Sequence, residues 1–246
     1  MNWKNIYQKK IGNMIKRRTI NVLMYVKHCP VSCPERQKRV EQHLMSRGVR
    51  DLTWMTDFPK DHPFVIWLQQ KLNIKSGLAF TSGLVKTLES FRHLVRSDKK
   101  AAFFVDDDVV LVKDWNKAPI PDFPFVNMSV GVNFSMLPDG KPRIIGNNGG
   151  CEMVYVTREF AQLVLDNVDA RQTIDIVIHA LVMHSKFPLV CVPVAQQTSI
   201  IEPKSSSLGS SSNLQNWIEY IRNFKPTGVR YEDLRNESGF FARDDA

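Results

Sequence analysis

The sequence predicts an α/β domain in which a central mixed, mostly parallel sheet is flanked by helices. Apolar runs rich in β-branched residues alternate along the chain with segments of helical periodicity, the pattern of strand–helix units. The first such unit pairs a strand over residues 20–26 (INVLMYV) with an amphipathic helix that follows a short turn. With 246 residues, of which 43% are hydrophobic, the chain can bury one large core, so we expect a single domain.

The first helix is predicted to begin at Pro34, because proline fits the first turn of a helix, and to end near Gly48. Val40 and Leu44 fall on the face that its periodicity turns toward the core. Arg36, close to the start of this helix, is a candidate contact for phosphate. The alternative is an arginine that simply faces solvent, as is common on amphipathic helices.

A second short strand is predicted over residues 52–58 (LTWMTDF) and carries Asp57 near its end. A carboxylate just beyond such a strand is placed to hydrogen-bond the ribose or base of a nucleotide. Asp57 is therefore a candidate nucleotide ligand.

The next helix is predicted from the spacing of Leu84, Leu88 and Phe91, with Ser82 as its cap. His93 lies among polar neighbours on this helix. We therefore expect His93 to be a surface residue rather than a ligand.

The segment 99–113 (KKAAFFVDDDVVLVK) carries the strongest motif of the chain. Asp106, Asp107 and Asp108 end a buried strand, and in an open α/β sheet ligands bind at that edge. Adjacent carboxylates repel one another unless a cation lies among them, which predicts Mn²⁺ or Mg²⁺ held by Asp106 and Asp108. Asp107 is expected to have a more structural role beside the bound diphosphate. The alternative is an inert, solvated acidic turn.

Three later polar residues are further candidates. Glu152 follows Gly149 and Gly150, which permit close backbone approach to a ligand. Asp175 is in the first turn of an otherwise apolar helix, where an acid can also merely complement the helix dipole. Gln196 follows a buried-looking strand and is placed to reach a diphosphate or a metal.

We divide the chain into a basic N-terminal helix or arm (1–19), a central catalytic domain (20–204), and a linker with a C-terminal helix that packs on the same domain (205–246). The first segment has six basic residues and no acid. Peripheral contact with anionic lipid and packing of its apolar side on the body both remain open. The acidic and basic tail beyond residue 224 is expected to fray. The oligomeric state is not predicted.

The formal net charge of +8 favours anionic partners, which include nucleotide-sugar phosphates, a membrane surface and nucleic acid. The four cysteines do not complete a zinc-binding pattern, so we expect reduced thiols. No apolar run approaches the roughly 18 residues of a membrane span, and the first residues lack the apolar core of a signal peptide. These observations predict a cytoplasmic protein.

Several of these segments, in this order, resemble the motifs of glycosyltransferase family 25. The similarity covers residues 20 to 201 and is carried by INVLMYV, PERQKRVEQHL, SGLAFTSGLVKTLESF, AFFVDDDVVLVKDW, GGCEMVYVTREFAQLVLDN, TIDIVIHAL and FPLVCVPVAQQTSII. Two positions depart from the family pattern. Asp106 replaces the usual Glu, and Ser82-Gly83 replaces a Ser-His pair. In its small size the chain also resembles the stand-alone glycosyltransferases that large algal viruses encode for capsid glycans. This resemblance would place the protein in the host cytoplasm.

The resemblance implies a GT-A fold, a metal site at Asp106 and Asp108, and inversion at the anomeric carbon. A divalent metal would neutralise the leaving diphosphate, and a carboxylate would take the proton of the acceptor hydroxyl. Asp175 is our candidate base, with a pKa expected to be kept low by the helix dipole, and Glu152 competes for the role. The partners implied are a nucleotide-sugar donor and a glycan acceptor. By analogy the donor is a UDP-sugar, and the viral similarity suggests UDP-xylose.

Two other classes stay in view. A basic protein with aspartates around a metal also fits a nuclease-like or nucleic-acid-binding protein. Because Lys and Arg are spread along the chain rather than clustered with aromatic residues, we do not expect nucleic acid as a partner. An inactive, sugar-binding relic of the fold is the third class. Turnover of a nucleotide sugar would separate these alternatives.

Overall fold

The fold is described from a computed structural model. The described residues are 23–28, 30, 34–111, 123–129, 133–136, 142–145, 151–185, 187, 190–197 and 219–241, and in 133–136, 142–145 and 190–197 only the backbone is described. The predictions for the basic segment 1–19 and the serine-rich linker lie outside the described residues. No described helix combines the length and apolar character that crossing a membrane requires.

Nine strands and six helices are described here. The strands are β1 (Met24–Lys27), β2 (Leu52–Met55), β3 (Ala101–Asp106), β4 (Val109–Leu111), β5 (Phe125–Ser129), β6 (Asn133–Met136), β7 (Pro142–Ile145), β8 (Met153–Thr157) and β9 (Val190–Gln197). The helices are α1 (Pro34–Ser46), α2 (Pro63–Lys71), α3 (Leu78–Arg96), α4 (Arg158–Leu165), α5 (Ile174–His184) and α6 (Tyr231–Ser238).

Seven strands form one mixed sheet in the order β2-β1-β3-β8-β5-β9-β4, and β6 pairs with β7 separately. The predicted α/β class with a mixed sheet and flanking helices is confirmed. The expectation that parallel pairing predominates is wrong for the seven-stranded sheet, because three of its described pairs are parallel and three are antiparallel. Two of the antiparallel pairs arise from β8, which runs antiparallel to both of its neighbours, β3 and β5, and the third is β4 with β9.

The sheet has a hydrophobic core on each face because strand side chains alternate. Met24 and Val26 of β1 pack in one core with Val40 and Leu44 of α1. Tyr25, between them, belongs to the other core, which α2 to α6 cover. The helices therefore lie on both faces and leave the strand ends accessible at the edges of the sheet.

The predictions for α1 are confirmed. The helix begins at Pro34, and Val40 and Leu44 are buried. Gly48 follows with a positive φ of 88°, a conformation that glycine adopts without steric cost, so the chain turns there into β2.

The helix before the aspartate segment is also present, but its start differs from the prediction. α3 begins at Leu78 with Gly77 as its N-cap, so Ser82 lies inside the helix and is not its cap. The Ser82 hydroxyl instead donates to the carbonyl of Phe58 at 2.7 Å and ties α3 to the chain beyond β2. His93 is exposed, as predicted.

The expectation that the tail beyond residue 224 frays is wrong for its described part. Tyr231 of α6 is fully buried, and its hydroxyl donates to Glu89 of α3 at 2.8 Å. Leu234 is buried in the same core. An apolar contact and a buried hydrogen bond therefore fix a segment whose charged sequence suggested solvent.

Candidate functional site

A cavity of about 410 Å³ lies where β1 and β3 end and where α3 and α5 begin. The parallel pairing of β1 with β3 puts Lys27 directly beside Asp106, so both strands bring charged residues to one edge. The first turn of α5 adds Asp175 to the cavity wall. The sheet edge predicted for ligand binding thus coincides with a concave site.

The antiparallel direction of β8 brings one more acid to this edge. Glu152 precedes β8, and its carbonyl accepts a hydrogen bond of 2.9 Å from the backbone N–H of Asp106. The Glu152 side chain is buried, whereas Asp175 lines the cavity. We call Asp106, Asp108, Glu152 and Asp175 the carboxylate cluster.

One lysine lies within this cluster. The Lys27 Nζ is 2.7 Å from Asp106 Oδ1, and only 17% of the Lys27 side chain is exposed. Burial would lower the pKa of Lys27, but attraction to Asp106 and then to Asp175 outweighs burial and raises it. Lys27 therefore stays charged and partly balances the cluster.

The carboxyl groups of the cluster have raised pKa values. Burial, followed by repulsion from Asp106 and Asp107, raises the pKa of Asp108 to about 7. Burial raises the pKa of Glu152 to about 7 as well, although a hydrogen bond from Ser129 opposes it. Burial also raises the pKa of Asp106, against the attraction of Lys27. Burial, reinforced by repulsion from neighbouring acids, therefore favours the protonated form of each of these carboxyl groups.

The predicted low pKa of Asp175 is wrong. Burial raises it to about 6, although the Lys27 charge and the backbone N–H of Cys151 favour the ionised form. Asp175 is in the first turn of α5, as predicted. The favourable helix dipole is thus outweighed by removal of the carboxylate from water.

Two carboxylate oxygens in the cluster are buried without a partner. Within the described part of the chain, Asp108 Oδ1 and Glu152 Oε2 accept no hydrogen bond. Leaving such acceptors unsatisfied costs free energy, so a ligand that supplies a cation or donor would be favoured there.

Asp107 belongs to a different set of contacts. Its carboxylate accepts from His28 Nδ1 at 2.6 Å and from Arg36 Nη1 at 3.3 Å. The backbone carbonyl of His28 in turn accepts from Lys86 Nζ at 2.6 Å. Arg36 is buried and lines the cavity, so it does not face solvent as the alternative interpretation held.

Three candidates from the sequence are absent from the described cavity wall: Glu152, which is buried, and Asp57 and Gln196. Asp57 follows β2, is exposed, and is absent from the described lining of the cavity. The backbone of Gln196 pairs with Val110 of β4, close in the chain to Asp108, but its side chain lies outside the described residues.

The sequence pattern did not single out Lys27, His28 or Lys86. The first two directly follow the apolar run of β1, and polar residues at a strand end are a detectable feature. Lys86 is only 4% exposed, although lysine side chains usually face solvent. The helical periodicity of α3 does not by itself mark Lys86 as a functional residue.

The donor set fits a hard divalent cation, which prefers carboxylate oxygens. Asp106 and Asp108 would hold it, since Asp108 Oδ1 has no partner among the described residues. Across the described residues no group of three or more His, Cys, Asp or Glu is arranged as a metal site. Two carboxylates are nevertheless enough for a magnesium-like ion whose other ligands are water and substrate phosphates.

The site thus combines acids largely removed from water, the Lys27–Asp106 ion pair and a cavity at the end of parallel strands. The resemblance of the sequence to glycosyltransferase family 25, which rests on the order of short motifs and on the position of the aspartates, stays a prediction. In comparisons with known proteins, no family model and no curated protein matches this chain.

Proposed function

We propose that this protein is a metal-dependent, inverting glycosyltransferase of GT-A type. It would move a sugar from a nucleotide-sugar donor, with a UDP-sugar favoured and UDP-xylose our specific candidate, to a hydroxyl of a glycan. The supporting observation is the carboxylate cluster, in which Asp108 has a pKa of about 7 and an unpartnered oxygen at the wall of a cavity. Such a cluster of acids suits a divalent metal that also binds a diphosphate.

Asp106 and Asp108 are the residues that would hold the metal. When bound, a divalent ion would act as a Lewis acid that neutralises charge on the departing diphosphate. Arg36 reaches the same cavity while it contacts Asp107, so it can orient the phosphates without leaving that carboxylate unpaired. Asp107 would hold His28 and Arg36 in place rather than bind the metal.

Asp175 is the best-placed acid for the acceptor side. It lines the cavity, whereas Glu152 is absent from the described lining. Its carboxylate would take the proton of the acceptor hydroxyl while the hydroxyl oxygen bonds to the anomeric carbon and the diphosphate leaves with the bonding electrons. A pKa of about 6 suits this role, because a base works best when its pKa is near the working pH.

The test is a panel of UDP-, GDP- and CMP-sugars offered with and without Mn²⁺. We expect the unfolding midpoint to rise most with a UDP-sugar plus Mn²⁺, since a ligand of the native state stabilises by mass action. Release of UDP in the presence of glycan acceptors then measures transfer. Tighter binding of GDP than UDP would overturn the donor class, and salt-sensitive binding of DNA or RNA without sugar transfer would favour a nucleic-acid enzyme instead.

A further inference from the structure

Lys27 occupies space beside Asp106 and uses its negative charge, and a metal bound to Asp106 would need both. Its Nζ is 2.7 Å from Asp106 Oδ1, and the two side chains are 17% and 32% exposed. The strand register fixes their closeness, because Lys27 and Asp106 are paired residues of β1 and β3. The contact is therefore part of the fold rather than a chance meeting of long surface side chains.

The other cations on the cavity wall have different surroundings. Arg36 contacts Asp107, and Lys86 donates to the carbonyl of His28. Lys60 lines the cavity but is exposed and forms no ion pair with a described residue. Lys27 is paired directly with Asp106, a member of the carboxylate cluster and a proposed metal ligand.

An ammonium group and a divalent cation compete for the same carboxylate. Both are positive, and repulsion between them at a few ångströms inside a partly buried site is costly. A metal shared by Asp106 and Asp108 would therefore weaken the Lys27–Asp106 pair. The Lys27 ammonium then needs another anion nearby to balance its charge.

We infer that Lys27 is a displaceable counter-ion of the carboxylate cluster. It neutralises Asp106 while the site is empty, yields that carboxylate when the metal binds, and turns its ammonium to the diphosphate of the donor. This role rests on the proposed function, and it adds Lys27 as a donor-binding residue that couples metal entry to nucleotide binding.

Lysine chemistry suits such an exchange. Its ammonium is a compact point charge with three donors on a flexible four-carbon stem, so it can change partners without movement of the backbone. Lysine also binds phosphate well as a point charge. The stem of Lys27 starts at the end of β1, on the same cavity wall as Asp106 and Asp108. Metal and diphosphate would therefore bind with positive cooperativity.

The first measurement is Mn²⁺ affinity without nucleotide, by calorimetry and by the electron paramagnetic resonance signal of free Mn²⁺. The variants are Lys27→Met and, as a matched loss of one positive charge on the same cavity wall, Lys60→Met. At about pH 8, where protons compete less for the carboxylates, we expect Lys27→Met to bind Mn²⁺ about tenfold more tightly than wild type. Lys60→Met should bind it within about twofold of wild type, because an exposed charge is well screened.

The second measurement is UDP affinity at saturating Mn²⁺. Lys27→Met should bind UDP about tenfold more weakly, because the displaced ammonium no longer reaches the diphosphate. The same substitution thus moves the two affinities in opposite directions. A residue that only shapes the pocket would weaken both. Lys27→Gln, which keeps a polar side chain, should show the same two signs, and circular dichroism with thermal unfolding checks that both variants fold.

The outcomes separate this inference from the proposed function. If wild type binds Mn²⁺ and UDP together but Lys27→Met and Lys27→Gln bind Mn²⁺ no more tightly, Lys27 does not compete with the metal and the inference is wrong. Unchanged UDP affinity in both variants would equally overturn it. If wild type binds no Mn²⁺, either alone or in the presence of any nucleotide, the proposed function itself fails. The inference then fails with it.

Discussion

Two buried groups of charges in this protein differ in one respect, the balance between acids and cations. In the carboxylate cluster, Lys27 pairs with Asp106, and two carboxylate oxygens have no partner in the described structure. In the second group, which we call the α3–α6 network, acids and arginines pair closely. Its members are Glu89, Arg92, Tyr231, Glu232 and Arg235.

The network is a structural device. Glu89 accepts from the Tyr231 hydroxyl at 2.8 Å and from Arg235, and Arg92 donates to Glu232 at 2.7 Å. The Arg235 guanidinium also lies 3.4 Å from the centre of the Phe241 ring, a cation–π contact. Two acids therefore face two arginines, and α6 is fixed to α3.

The comparison shows that burial of charge alone does not identify a site. Both groups contain acids that are largely removed from water, and both lie beside the same core. In the carboxylate cluster, burial reinforced by repulsion between neighbouring acids raises the pKa values of Asp108 and Glu152, and two acceptors have no partner among the described residues. Four predictions test this contrast, from the largest expected effect to the smallest.

The largest effect is expected for Asp108→Asn. The substitution removes a charge from the proposed metal site while it keeps the size of the side chain, so metal-dependent transfer should be abolished and the fold retained. Transfer assays across a range of Mn²⁺ concentrations measure this. Asp57→Asn is the matched control, because Asp57 is exposed and absent from the described cavity wall. Full activity of Asp108→Asn would refute the metal assignment.

The second effect concerns the proposed base. Asp175→Asn should lower turnover by about two to four powers of ten, the usual range for loss of a general base, with UDP-sugar binding nearly unchanged. Wild-type turnover should rise as Asp175 ionises, around its pKa of about 6. Turnover and donor affinity are measured separately for each variant.

Glu152→Gln sharpens this second test, because Glu152 is buried and contributes to the same cluster. We expect it to weaken donor or acceptor binding more than turnover. If Asp175→Asn retains near-normal turnover while Glu152→Gln, or a change at Asp57, silences transfer with donor still bound, the base lies at that other residue.

The third effect addresses the α3–α6 network. Arg235→Met leaves Glu89 buried without its main cation, and breaking a buried pair in this way typically costs about 3–5 kcal/mol of unfolding free energy. Denaturant unfolding measures the loss. Arg230→Met is the control, since Arg230 is 58% exposed and its pairs are worth little. A loss below about 1 kcal/mol for Arg235→Met would show that the network is dispensable, and the contrast with the carboxylate cluster would break down.

The sequence predicts the position of the aspartates well, because an abrupt change from apolar to acidic residues locates the end of β3. The sequence also predicts α1 and α3, because their apolar residues recur with helical periodicity. Lys27 escaped notice because its role depends on the register between β1 and β3, and register is a property of pairing between segments far apart in the chain.

Two other predictions failed because their causes lie outside any local sequence pattern. The pKa of Asp175 depends on burial by residues from several elements, which no helix pattern contains. The tail beyond residue 224 looked too charged to pack, but Glu89 inside the protein pairs with its Arg235 and accepts a hydrogen bond from its Tyr231. Burial among several elements decides the first case and long-range pairing of charges decides the second, and local propensity decides neither.

The smallest effect expected is a pH-dependent difference in stability between wild type and Asp108→Asn. Asp108 has a pKa of about 7 in the folded protein and 3.8 as its ordinary value. Between these values the folded state binds more protons than the unfolded state, so this group's contribution to the unfolding free energy falls as pH rises. Asparagine does not titrate, so the unfolding free energy of the variant lacks this decrease with pH.

The unfolding free energy of Asp108→Asn minus that of wild type should therefore rise from about pH 4 to about pH 7 and then level off, by about 1 kcal/mol once solvent screening at the open cavity is allowed for. Denaturant unfolding in metal-free buffer at several pH values gives this difference directly. Saturating Mn²⁺ should reverse its sign at about pH 8, because only wild type retains both metal-binding carboxylates and binding stabilises the native state. A difference that does not change with pH, or one that Mn²⁺ leaves unaltered, would mean that the excess of buried acids is a structural feature like the α3–α6 network and that no cation is bound there.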